Sequence, residues 1–211
     1  MSFDLWLTFV AASTALILIP GPTVLLVLSY ALSKGRGVAL ATAGGVALGD
    51  LVAMTASLMG LGALVLASAT LFTALKWAGA IYLVWLGIKL LRSARTADVG
   101  LPMPSPDVTG RNVFWHAAAV TALNPKSIAF FIAFVPQFVT LNTPLAPQFA
   151  ILIATFVGLA VFNALAYALL ADRLRQRIQR PGVLTWLTRV GGGALISMGV
   201  MTAFMRRATA G

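Results

Sequence analysis

Two short interruptions in long apolar runs hold the residue types best suited to bind a small charged solute. The first is Ile19-Pro20-Gly21-Pro22, followed by Thr23. The second is Leu123-Asn124-Pro125-Lys126, followed by Ser127. Proline inside a helix removes a backbone donor and clashes with the preceding turn, so each stretch should break its helix. After each break the sequence reads as a new helix start. Asn124 is a good N-cap and Pro125 suits the first helical position, and Gly21-Pro22-Thr23 makes a similar start. A helix N-terminus exposes unpaired N–H groups and a partial positive charge. Two such ends, carrying Gly21, Pro22, Thr23 and Asn124, Pro125, Lys126, would suit an anion such as a carboxylate. The plainer alternative is a pair of proline kinks whose freed backbone groups are repaired by neighbours.

Three charged residues bear on the same chemistry. Lys126 lies deep in an apolar segment, where an ionisable residue is costly and points to function. It can hold a substrate carboxylate, or else snorkel or pair structurally. Asp50, which ends Gly44-Gly45-Val46-Ala47-Leu48-Gly49-Asp50, is the only acid within an apolar run. It can exchange a coupling proton or bind a substrate ammonium. Alternatively it pairs with Lys76, a possible charge partner, or sits at a wet boundary. Lys76 itself, followed by Trp77, Tyr82 and Trp85, reads more simply as an interfacial anchor. The lone His116 reads as a satisfied residue near a span end, and Asn163 as a hydrogen bond between helices. The ladder Ala41, Gly45, Gly49 reads as close helix packing.

Composition sets the solvent for these elements. Of 211 residues, 60% are hydrophobic and only 9% charged, whereas a soluble domain usually has about 25% charged. Too few polar side chains remain to cover a water-facing surface. A chain in lipid must bond its backbone internally, as helix or closed barrel. The apolar runs lack the alternation of barrel strands, so helices are expected. With no Cys, one His and no Glu, no metal site, cofactor or nucleophilic enzyme machinery is expected. The net charge of +10 is spread over short connections, so it reads as a topology signal rather than a nucleic-acid surface. The first run begins at an acid, Asp4, and is too long for a signal peptide, so it is read as a mature helix.

The sequence predicts an all-α integral membrane protein with about six spans, near 5–32, 38–66, 70–91, 113–137, 146–170 and 190–205. The whole of 1–211 forms one transmembrane domain. Lys34 and Arg36, then Lys89, Arg92, Arg95 and Arg111, then Arg173, Arg175, Arg177, Arg180 and Arg189 fall at alternate connections. That side is expected to be cytoplasmic, with the N-terminus outside and a basic, Pro-rich cytoplasmic loop at 92–112. Arg206 and Arg207 conflict with a sixth crossing, which would put the C-terminus outside. Six spans are nevertheless favoured, because the halves near 1–95 and 110–211 echo each other. Each carries a break in its first span, and each third span has a glycine pair at matched spacing, Gly79 with Gly87 and Gly191 with Gly199. Three spans per half make the second half inverted. Paired interrupted segments in the two halves point to a transporter binding site.

The chain also resembles the LysE/RhtB family of bacterial amino-acid exporters, in Leu18-Ile19-Pro20-Gly21-Pro22, in the stretch from Leu75 to Gly87, and in Asn124-Pro125-Lys126-Ser127 with Phe134-Val135-Pro136-Gln137-Phe138. The resemblance covers nearly the whole chain, with the homoserine–threonine branch nearest. It implies a multi-pass protein of the bacterial cytoplasmic membrane that exports small neutral amino acids, such as homoserine or threonine, as a proton antiporter. No Walker lysine loop is present, so transport would run on a gradient. The partners expected are the amino acid, protons and membrane lipid. A passive channel or an exporter of another solute is the rival reading, and the oligomeric state, a homo-oligomer included, is left open.

Overall fold

A computed structural model describes residues 1–19, 21–93, 109–140, 143–178 and 181–204. Among them the chain is all helical, with eight α-helices, two 3-10 turns and no strand. The helices are α1 (Phe3–Leu18), α2 (Pro22–Lys34), α3 (Ala39–Ala67), α4 (Ala69–Ser93), α5 (Gly110–Ala122), α6 (Pro125–Ala133), α7 (Leu145–Ile178) and α8 (Pro181–Phe204). A 3-10 turn at Val135–Phe138 extends α6.

The two expected interruptions each separate two helices. Pairs α1 with α2 and α5 with α6 bend by more than 40° at their breaks. Pro22 and Pro125 each begin a helix, where the missing N–H is an orphan in any case. Asn124 caps α6 by accepting from Lys126 N at 3.1 Å. Gly21 begins α2 in an extended conformation and provides no side-chain cap.

Among the described residues, three helices are long and apolar enough to cross a membrane, or up to five when each bent pair counts as one span. Helix α8 covers the expected sixth span but is not among these five, and it starts at Pro181 rather than near 190. The basic connection expected at 172–189 is also mostly helix. Arg173, Arg175 and Arg177 lie in α7 and Arg189 in α8. The long apolar pattern of α7 simply carries on into its arginines, which have good helix propensity. Residues 94–108, with Arg95, lie outside the described residues, as do Pro20, Arg180, Arg206 and Arg207. Large apolar side chains face outward along the helices, such as Leu40 at 80% and Phe162 at 75% exposure. A lipid-facing surface explains them.

Small residues set how closely the helices approach. A side chain on Gly49 would lie 2.6 Å from the Ala118 carbonyl oxygen and 2.7 Å from Thr121 Cβ. One on Gly45 would overlap the Phe114 carbonyl. The glycine ladder therefore seats α3 directly on α5, as the four-residue spacing predicts. A second seam joins α4 to α8, where Gly87 meets Gly192 and Gly199 meets the Ala80 carbonyl. Gly191 instead meets Ile19 and Gly79 meets Ala133, so both spaced pairs also press against the broken spans. The core beneath the breaks is aromatic. Phe9, Phe130, Phe131, Phe134, Phe138 and Phe156 are fully buried, with Phe131 edge-on to Phe156 at 4.8 Å.

Gly45→Ala should force α3 off α5 and destabilise the fold by about 1–3 kcal/mol, the usual range for overpacking. Gly60→Ala, in the same helix but with open space around it, should leave melting unchanged. Equal melting temperatures for the two variants in detergent would contradict this packing.

Candidate functional site

The two breaks meet at one cavity enclosing about 430 Å³, counting the part open to solvent. Its walls come from the end of α1 (Leu16, Ile17), the start of α2 (Thr23, Val24), the middle of α3 (Val46, Asp50), the start of α6 (Asn124, Lys126, Ser127), and α7 (Phe156, Ala160, Asn163, Ala164, Tyr167).

A chain of polar groups links the breaks. Asn124 Nδ2 donates to Thr23 Oγ1 at 3.1 Å, and Thr23 Oγ1 pairs with Thr121 Oγ1 at 3.3 Å. Asn124 thus caps its own helix with Oδ1 and ties it to α2 with Nδ2. The two helix starts differ in consequence. The α6 start has one orphan N–H satisfied by Asn124, whereas the α2 start has no side-chain cap. The first-turn N–H groups of Thr23 and Val24 thus have no side-chain cap.

Lys126 is 8% exposed, and its partners lie on α1. Its Nζ donates to the carbonyls of Leu16 and Ile19, both at 2.9 Å. The sequence expects a lysine aimed at an anion beside the helix starts; in the structure its ammonium bonds the end of α1. Two of the three ammonium donors close the C-terminal end of α1. The reason is electrostatic, since the last carbonyls of a helix carry partial negative charge that attracts a cation.

Asp50 is 4% exposed. Its Oδ1 is buried without a hydrogen-bond partner. It interacts with Lys126 through space, but among the described residues no ion pair joins them. Such an orphaned acceptor needs an explanation, and a ligand donor is one. Lys76, the other possible charge partner, does not line the cavity. Gly21 is beside it, where an added Cβ would sit 3.3 Å from Lys126 Nζ.

Sequence reading missed Tyr167 and Thr121. Tyr167 falls four residues after Asn163 and one turn from Ala164, on one face of α7. A polar pair at that spacing inside the apolar run was the available signal. Asn163 Nδ2 does reach the Ile17 carbonyl, at 3.4 Å, and it also lines the cavity. His116 is satisfied by Tyr30, whose hydroxyl lies 2.7 Å from Nδ1.

Apolar helices broken in pairs around a largely apolar cavity with a few polar groups are the build of a membrane transport protein. The chain belongs to the LysE type translocator family, whose model matches residues 14–206. The likeness read from the breaks and the Leu75–Gly87 stretch is therefore borne out. The chain is 33% identical over 208 residues to the homoserine/homoserine lactone efflux protein of Salmonella typhimurium, covering 99% of this chain and 100% of that one. It is 31% identical over 203 residues to a membrane protein of Vibrio cholerae, covering 96% and 98%. It is 31% identical over 137 residues to the leucine efflux protein of Klebsiella pneumoniae, covering 65% and 64%. No solved structure matches the chain. It is a multi-pass protein of the bacterial inner membrane, and a transporter rather than an enzyme.

Proposed function

We propose that the protein exports small neutral L-amino acids, homoserine and threonine foremost, across the cytoplasmic membrane in exchange for protons. The observation that carries this reading is the cavity itself. At the junction of two broken helix pairs, it is lined both by an uncapped helix start and by Asp50, one of whose carboxylate oxygens lacks a partner. A zwitterion fits that polarity. Its carboxylate meets the N–H groups after Gly21-Pro22 at Thr23, the remaining Lys126 donor, and the Asn124-Pro125 end. Its ammonium meets Asp50, which also serves as the coupling group when the substrate leaves. Efflux proteins for homoserine and for leucine among the relatives support an amino acid as cargo.

In this reading six spans form two inverted repeats, with α8 as the sixth crossing. The halves rock about the breaks to alternate access. The seam of α4 against α8 and of α3 against α7, each pairing equivalent helices of the two halves, supports that symmetry. The basic side, with loop 92–112, faces the cytoplasm.

Export from cells loaded with a panel of amino acids tests the proposal. Homoserine or threonine efflux should rise with expression, collapse with an uncoupler and persist without ATP. In this Cys-free chain, Ser93→Cys should resist an impermeant thiol reagent from outside. Efflux that survives the uncoupler but needs ATP would sink the antiport reading, and external labelling of Ser93→Cys would invert the topology.

A further inference from the structure

The two breaks are repaired in different ways. At the second, the bonds shown are local backbone ones, Leu123 N to the Ala119 carbonyl at 3.0 Å and Asn124 N to that of Thr121 at 3.1 Å. At the first, the Ile19 N–H reaches the Leu16 carbonyl at 3.2 Å, but the outermost carbonyl, that of Ile19, relies on Lys126. Leu16 and Ile19 are both buried. Unsatisfied carbonyls inside a membrane span are costly. Carbonyls at the C-terminal end of a broken helix are also the ligands with which gradient-driven carriers hold a coupling cation. Here that position is filled by a side chain. Gly21 leaves the room for it, since a methyl there would lie 3.3 Å from Nζ and 3.5 Å from Cε.

We propose that Lys126 is a tethered cation occupying a monovalent-cation site at the end of α1. The carrier therefore needs no sodium, and truncating the side chain uncovers a site for a small free cation of ammonium type. The site is defined by Nζ and the Leu16 and Ile19 carbonyls. Only the transport arm of the test rests on the export reading above.

The test compares wild type, Lys126→Ala and Lys126→Met, each fluorescently tagged and melted in detergent extracts with methylammonium, sodium or choline chloride at one ionic strength. Methylammonium should raise the melting temperature of Lys126→Ala by several degrees over choline. It should leave wild type and Lys126→Met unchanged, because in the first the ammonium and in the second a thioether chain fills the space. Identical melting of Lys126→Ala in methylammonium and choline would overturn the site. In the transport arm, amino-acid counterflow by reconstituted wild type should be equal in sodium and choline. Counterflow that stops without sodium would overturn the proposal while leaving the export reading intact. A wild type with no counterflow in either salt would instead sink the export reading, and the melting arm would still decide the cation site. Methylammonium should also restore part of the about 10- to 150-fold loss expected in Lys126→Ala transport from losing charge-assisted hydrogen bonds. Equal restoration in Lys126→Met would contradict it.

Discussion

Asp50→Asn is expected to abolish most export while leaving the protein in the membrane at normal abundance. The carboxylate is buried, and one oxygen has no partner. Burying an unpaired charge opposes folding, so the neutral amide should be as easy to accommodate or easier. What is lost is the charge-assisted contact with the substrate ammonium. That contact is worth about 1.5–3 kcal/mol, so affinity should fall about 10- to 150-fold. Proton-driven accumulation should fall further, since an amide cannot carry the proton. Counterflow and net uphill export, each normalised to membrane abundance, separate the two losses. Undiminished uphill export by Asp50→Asn would remove this residue from the mechanism.

Lys126→Met should do more damage. The methionine matches the length and apolar body of the lysine, and an apolar residue is easier to place in lipid. Insertion should therefore survive. The buried Ile19 carbonyl loses its donor, whereas that of Leu16 keeps the Ile19 N–H, at about 1–3 kcal/mol for the unsatisfied group. The end of α1 should loosen, lowering both export and melting temperature. The double variant with Asp50→Asn discriminates the cause. If Lys126 mainly neutralised Asp50, the second change would restore stability. The structure directs Lys126 to the carbonyls and forms no ion pair with Asp50 among the described residues, so the double variant should still melt well below wild type. Recovery to wild-type melting would show that the pair is what matters.

Local signals made much of this legible in the sequence. The breaks, the Asn124 cap and the helix starts at Pro22 and Pro125 follow from the backbone chemistry of proline and asparagine within a few residues. The Gly45–Gly49 ladder announced a close helix neighbour because periodicity alone puts small residues on one face. What sequence could not supply were partners far apart in the chain. Nothing near Lys126 reveals that its donors turn to carbonyls of α1, because that choice depends on how the first broken pair lies against the second. Tyr167 was overlooked for a similar reason, since an isolated tyrosine in an apolar run looks like core until a cavity is seen beside it. The start of α8 was misjudged because Arg189 read as the edge of a loop, whereas Pro181 begins the helix.

On the proposed function, the exported amino acid occupies the cavity between the breaks. Ile17 lines that cavity and is partly accessible, and the chain has no cysteine. In membranes carrying Ile17→Cys, homoserine should slow labelling by a small permeant thiol reagent, half-maximally at the concentration that half-saturates export. Labelling of Ser93→Cys, at the end of α4, should be unaffected. An Ile17→Cys protein that exports homoserine yet labels at the same rate with and without saturating substrate would contradict the account.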